Sequence, residues 1–260
     1  GYTDRPETLG SLVRAALACH DMAVAFGTPF ISGKDSLNNE FSFVDESGQK
    51  QTIAIPASLL ISALGQVADV SQCVTMDLKQ PGNLLYLVGV TRDEMGGSHF
   101  ARIHGLSGGQ VPQVDAPAAR KLFETIHQAI RGELVRSCHD LSEGGLAIAL
   151  AEMAFAGGLG LRANVSASVH ELDDLDEARR LAALLFAESN SRFVCEVPID
   201  RKAAFQELLQ GQDIPFAELG SVTEDDLVVL ESSPGDRVET IAEMPLSQLK
   251  EAWQKPLKWQ

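Results

Sequence analysis

The stretch Ser137-Cys138-His139-Asp140-Leu141-Ser142-Glu143-Gly144-Gly145-Leu146 decides how this chain reads. A short apolar, β-like run precedes it and a strongly helical run, Gly145 to Phe155, follows, so a strand here hands over to a helix. Such an entrance leaves main-chain N–H groups without helical partners, and the helix dipole adds partial positive charge. Gly144 and Gly145 carry no Cβ, so a phosphate can approach the main chain closely. Asp140 and Ser142 add a carboxylate and a hydroxyl, oxygen ligands suited to Mg2+ and a phosphate oxygen. The plainer alternative makes Ser142 an N-cap and the glycines a tight turn, and spacing alone leaves both open.

Outward from this junction the chain alternates strand-like and helical runs. Asn83 to Val90 reads as a buried strand, broken by Gly96-Gly97-Ser98, which is a turn or a second phosphate cradle. Helices are expected over Ala116–Arg131, Asp174–Leu185 and Asp200–Gln210. Strands are expected over Leu159–Val165, after the polar turn Glu188-Ser189-Asn190 as far as Val197, and over Phe216–Val222 and Leu227–Leu230. Residues 83–232 therefore read as one α/β or α+β domain. Upstream, an amphipathic helix spans Thr8–Phe26, and Gly33-Lys34-Asp35-Ser36 ends a brief apolar run. Strands are expected at Phe41–Val44, Thr52–Ile55 and Ser58–Val67. One helix and three strands over residues 1–68 are thin for an independent core. That block is expected to complete a domain whose other strands lie elsewhere, on further N-terminal sequence or on another chain. Residues 69–82 hold the boundary. Residues 233–260 read as a tail, with an amphipathic piece ending in Trp253 and Trp259 that docks on something.

Composition narrows the function. In 260 residues, 21 basic against 36 acidic side chains leave a formal net charge of −15, with no basic stripe. A nucleic-acid binder needs cations for the phosphates, so that class is disfavoured. A bound polyphosphate would need main-chain amides, a few placed cations or Mg2+. Cys19, Cys73, Cys138 and Cys195 show no zinc-ligand spacing and no disulfide framework, which favours a reducing compartment. No apolar run approaches the ~20 residues of a membrane span and the N-terminus is not a signal peptide, so a cytoplasmic protein without membrane contact is expected.

Taken together, Gly27–Glu40, His139–Leu146 with Leu150–Ala154, Glu188–Phe193 and Gly89–Ser98 resemble the phosphoribosylformylglycinamidine synthase family, of the aminoimidazole ribonucleotide synthetase-like ATP-binding superfamily. The resemblance runs from about residue 5 to 230; each motif is weak alone and the four in order are strong. It implies an α/β (α+β) fold. Residues 1–68 would be the end of a barrel-forming ATP-binding domain, residues 83–232 a complete C-terminal α/β domain, and 233–260 a tail. It implies an ATP-dependent ligase of purine biosynthesis, converting formylglycinamide ribonucleotide with glutamine-derived ammonia. The cofactors would be ATP and Mg2+. The partners would be the missing N-terminal half of the synthetase and a glutaminase subunit or domain.

By that resemblance Gly33, Lys34, Ser142, Gly144 and Gly145 would hold ATP, and Asp140 the Mg2+. Lys34 stands where short-chain members have a metal-binding Asn; a Lys cannot ligate a cation, so its implied role is to pair with a phosphate. Ser36, Glu188, Ser189 and Asn190 would bind substrate, with Asn190 shorter than the family's Gln. No catalytic nucleophile is implied, because amide activation needs charge neutralised on the phosphates. His139 reads as a hydrogen-bonded structural residue, Cys138 as a small buried one, and Arg192 as a salt bridge on a strand edge. Two alternatives stay open: a non-catalytic pseudosymmetric module of the same enzyme, or another phosphate-binding member of the superfamily such as a thiamine-monophosphate kinase.

Overall fold

The computed structural model describes residues 1–234 and 237–257. They form two units, Gly1–Ala68 and Asp69–Gln260.

In the first unit, helix α1 (Pro6–Phe26) starts with Pro6 in its first turn and ends at Gly27, whose φ of 67° supplies a left-handed cap. None of its residues is buried. Strands β1 (Glu40–Val44) and β2 (Lys50–Ala54) form an antiparallel hairpin, Glu40 facing Ala54. The third strand expected at Ser58–Val67 is not formed: this segment has no ladder partner, and Leu60 and Leu64 are each 93% exposed. A strand persists only where a neighbour takes its N–H and C=O groups. No closed barrel is present among the described residues of this unit. The expectation that no run could span a membrane also needs correction. By length and composition α1 is apolar enough to do so, with mean hydropathy 1.3 over its most apolar window.

The second unit is built on a mixed seven-stranded sheet. Its strands, in chain order, are β3 (Leu84–Val88), β5 (Ser137–Asp140), β6 (Gly160–Asn164), β8 (Phe193–Val197), β9 (Phe216–Thr223), β10 (Leu227–Ser232) and β11 (Glu239–Pro245). Their spatial order is β11-β10-β6-β9-β3-β8-β5. Only β10 and β6 run parallel; every other neighbouring pair is antiparallel. Two short strands, β4 (Thr91–Arg92) and β7 (His170–Glu171), pair separately. The helices are α2 (His99–Ile103), α3 (Ala116–Arg131), α4 (Gly145–Gly157), α5 (Glu177–Phe186), α6 (Lys202–Gly211) and α7 (Leu246–Gln254).

The inner strand β3, between β9 and β8, explains the layering. All five of its residues are buried, and its alternation feeds two cores. Leu84, Tyr86 and Val88 pack with α3 and α6, while Leu85 and Leu87 pack with α4, α5 and Leu246 of α7. Helix α4 is apolar on nearly every side because it lies in the second of these cores, in contact with both α5 and α7. The segment expected as a tail is part of this body: β11 is the edge strand beside β10, and Trp253 of α7 lies 5.8 Å from the Phe155 ring. Trp259 lies outside the described residues. At the opposite edge, β5 places Cys138 against Cys195 and Asp140 against Phe193, and here the chain enters α4.

Candidate functional site

A cleft of about 380 Å³ opens where β5 ends and β8 begins. Asp140, Ser142 and Glu143 form one wall and Glu188, Asn190 and Arg192 the other. The Asp140 side chain is 66% exposed at its mouth, and its Oδ1 lies 3.5 Å from His139 Nδ1. The other ring nitrogen of His139 is 2.9 Å from Glu152 Oε2, which ties β5 to α4. His139 is thus a hydrogen-bonded residue set between two carboxylates.

The entrance of α4 is not an open cradle. Gly144 and Gly145 both have left-handed backbones, φ 80° and 64°. A Cβ on Gly145 would lie 2.5 Å from the Ala187 carbonyl oxygen, and one on Gly144 would strike Ile148. These glycines therefore serve the turn and the close approach of α5. The Gly144 N–H donates to Glu188 Oε1 at 2.9 Å, and the Gly145 N–H to the Ser142 carbonyl at 3.1 Å. The amides expected to meet a phosphate already have protein acceptors. The Glu143 carboxylate accepts from its own N–H and, second, from the Ser142 hydroxyl, and these bonds hold that carboxyl below its ordinary range. A carboxylate at a helix N-terminus is favourable on the same grounds as a phosphate.

Glu188 joins two helices. Its Oε1 also accepts the His99 N–H at 2.9 Å, at the first residue of α2. The Gly96-Gly97-Ser98 turn resolves as the entrance to that helix: Ser98 Oγ is the N-cap and accepts from Ala101 N at 3.1 Å. Ser189 is fully buried, accepting the Arg92 N–H at 3.1 Å. Asn190 lines the cleft. Gly33, Lys34 and Ser36 lie in the first unit, in an exposed segment without helix or strand, where Lys34 Nζ donates to Ser36 Oγ at 3.2 Å.

Arg192 departs from expectation. It is 1% exposed rather than a strand-edge salt bridge. Its Nε donates to the Ser189 carbonyl, Nη1 to Thr91 Oγ1, and Nη2 to the Ala187 carbonyl. Burial pulls its pKa down to about 10 against the attraction of Glu94. The reason is topological: the chain bends at Ser191, φ 58°, and folds the guanidinium under the 187–191 loop. Gly89 makes room, since a Cβ there would lie 2.9 Å from Arg192 Cγ. A Gly-X-Thr ahead of an Arg-containing loop is the only sequence signal, and it is faint.

The family of AIR synthase related proteins, through its C-terminal domain, matches residues 80–232. The chain belongs to this family. Among AIR synthase-related sequences, the phosphoribosylformylglycinamidine synthase subunit PurL of Deinococcus radiodurans is 36% identical over 264 residues. The match covers 99% of this chain and 33% of that protein. The chain thus spans about a third of the length of the curated relatives it matches. A solved structure of PurLQS from Thermotoga maritima superposes with a TM-score of 0.64 at 16% identity, over 88% of this chain and 34% of that one. T. maritima PurL complexed with ATP gives 0.56 at 19% identity, over 69% and 27%. At these identities the two structures speak for the AIR synthase-like α/β fold.

Proposed function

We propose that this chain is the C-terminal part of an ATP-dependent amidating synthetase. That enzyme converts formylglycinamide ribonucleotide and glutamine-derived ammonia to the amidine in cytoplasmic purine biosynthesis. The observation that carries the reading is the run of PurL relatives that align with nearly the whole chain. The cleft beside β5 and β8 is its nucleotide-facing wall. The protein's other partners are the remaining N-terminal part of the synthetase and a glutaminase subunit or domain.

The residues fit Mg2+-nucleotide better than a bare phosphate. Asp140 offers an exposed carboxylate, and Ser142 and Asn190 offer neutral oxygens. Among the described residues no three His, Cys, Asp or Glu gather to hold a metal. Mg2+ is commonly held by one or two carboxylates, with phosphate and water completing the shell. When bound, Mg2+ supplies the charge neutralisation that phosphoryl transfer requires. The chain's own part is to fix Asp140 through His139 and Glu152, and to fix the facing loop through Arg192. Ser36, Glu188, Ser189 and Asn190 belong to substrate recognition, with Glu188 and Ser189 acting through the loop they hold. The ATP-contacting residues of the first unit are Gly33 and Lys34, Lys34 as a point charge for a phosphate.

A second reading, a silent twin of the productive site, draws support from Glu188, whose carboxylate occupies the Gly144 amide a phosphate would use. Replacing Asp140→Ala in the full-length parent separates the two. The productive site loses at least about 100-fold in kcat with an unchanged melting temperature. A normal rate assigns this half to scaffolding.

A further inference from the structure

We propose that Cys138 and Cys195 are a modification site at which a hydroperoxide closes a cross-strand disulfide. The two residues face each other in the β5–β8 ladder, and their Sγ atoms are 3.8 Å apart. The Cys138 N–H points out of the ladder to the Thr75 carbonyl, 3.3 Å away, whereas the Leu141 N–H bonds the Arg192 carbonyl at 3.0 Å. Hydrogen-bonded pairs therefore fall at 141, 139 and 137, and Cys138 with Cys195 is a non-hydrogen-bonded pair. Such pairs bring Cα atoms to about 4.5 Å, inside the range disulfides span, so rotation of side chains suffices.

The two thiols differ in access. Cys195 is fully buried and Cys138 half-buried, so a small oxidant meets Cys138. Cys195 keeps its proton, because its hydrogen bond to Cys138 and its burial raise its pKa well above the ordinary thiol value. In the first step Cys138 sulfur takes the terminal oxygen of the hydroperoxide, whose O–O bond breaks, giving a sulfenic acid and an alcohol or water. In the second, Cys195 sulfur displaces that oxygen. The S–S bond forms, the S–O bond breaks, and the Cys195 proton leaves with the oxygen as water. The bridge joins β5, which ends at Asp140, to β8, which begins after Asn190 and Arg192, and so clamps the two walls of the cleft together.

The test uses the reduced chain with hydrogen peroxide, followed by alkylation, digestion without reductant and mass mapping. Two of the four thiols should resist alkylation, and a Cys138–Cys195 linked peptide two hydrogens lighter than the dithiol should appear. In Cys195→Ser the reaction should stop at a Cys138 sulfenic acid that dimedone traps. Four free thiols after treatment overturn the proposal. So does Cys138 linked to Cys73, which lies two residues from Thr75, or Cys138 carried to sulfinic acid in the unsubstituted chain. Should Cys195→Ser not fold, the linkage map of the unsubstituted chain decides alone.

Discussion

Residues 28–39 and residues 140–145 each carry a glycine, a carboxylate and a serine hydroxyl, and they stand in contrasting surroundings. In the first, Lys34 reaches only as far as Ser36, and a Cβ on Gly33 would meet open space. In the second, partners arrive from far along the chain: Glu188 from 44 residues away, and the 187–191 loop tied down by Arg192 and Thr91. A binding loop acquires one conformation when distant segments supply acceptors for its donors, and keeps many when they do not. The difference therefore lies in the frame beneath each loop, since residue type is shared.

The largest contrast should come from the two cations. Arg192→Ala strands two carbonyls and leaves the Glu94 carboxylate buried without its compensating charge. A loss of about 3 kcal/mol or more is expected. Lys34→Ala, at an exposed side chain, should stay within about 0.5 kcal/mol. Urea denaturation of both variants, compared by midpoint at constant m-value, measures the difference. Equal shifts would mean that the Arg192 loop is no better anchored than the exposed one.

The glycines sharpen the same contrast at smaller amplitude. Gly145→Ala must hold a left-handed backbone and push back the Ala187 carbonyl, for a cost of about 2 kcal/mol. Gly33→Ala, with neither constraint, should be neutral to about 0.5 kcal/mol. Thermal melts of the pair suffice. A melting temperature for Gly145→Ala equal to that of the parent would return the phosphate-approach explanation for this glycine.

These contrasts also show what was readable beforehand. The strand β3, the helices α3 and α4 and the strand-to-helix junction at 140–145 were legible, because periodicity and glycine placement are local properties. Glu188 as the acceptor of the Gly144 N–H was not, since a carboxylate 44 residues away announces its reach only in three dimensions. The burial of Arg192 was hidden for the same reason: a charged residue before a strand reads as surface until the fold supplies Thr91 and two carbonyls. The missed strand β11 failed differently. Its Ile241, Ala242 and Met244 are only partly buried at an edge, so its hydrophobic alternation is weak. Ser58–Val67 went the other way: β-like composition cannot supply a ladder partner.

The smallest effect concerns order made locally, inside the otherwise exposed first unit. At the β1–β2 turn the Asp45 carboxylate accepts from the Ser47 hydroxyl, Gln51 Nε2, Gln49 N–H and Ser47 N–H. These bonds, the Ser47 hydroxyl first, bring its pKa down from 3.8 to about 2. A carboxyl whose folded pKa lies below its unfolded value stabilises fully above the unfolded value, and that contribution disappears as pH falls through the folded one. The hairpin turn should therefore keep its bonds at pH 4 and lose them near pH 2. Carboxyl carbon shifts of Asp45 followed by NMR between pH 5 and 1.5 test this directly. A midpoint near the free-aspartate value would show that the turn is as loosely held as the Gly33–Ser36 segment beside it in sequence, and would leave Glu40, which accepts from Tyr2 N–H and Arg5, as the tie within the first unit.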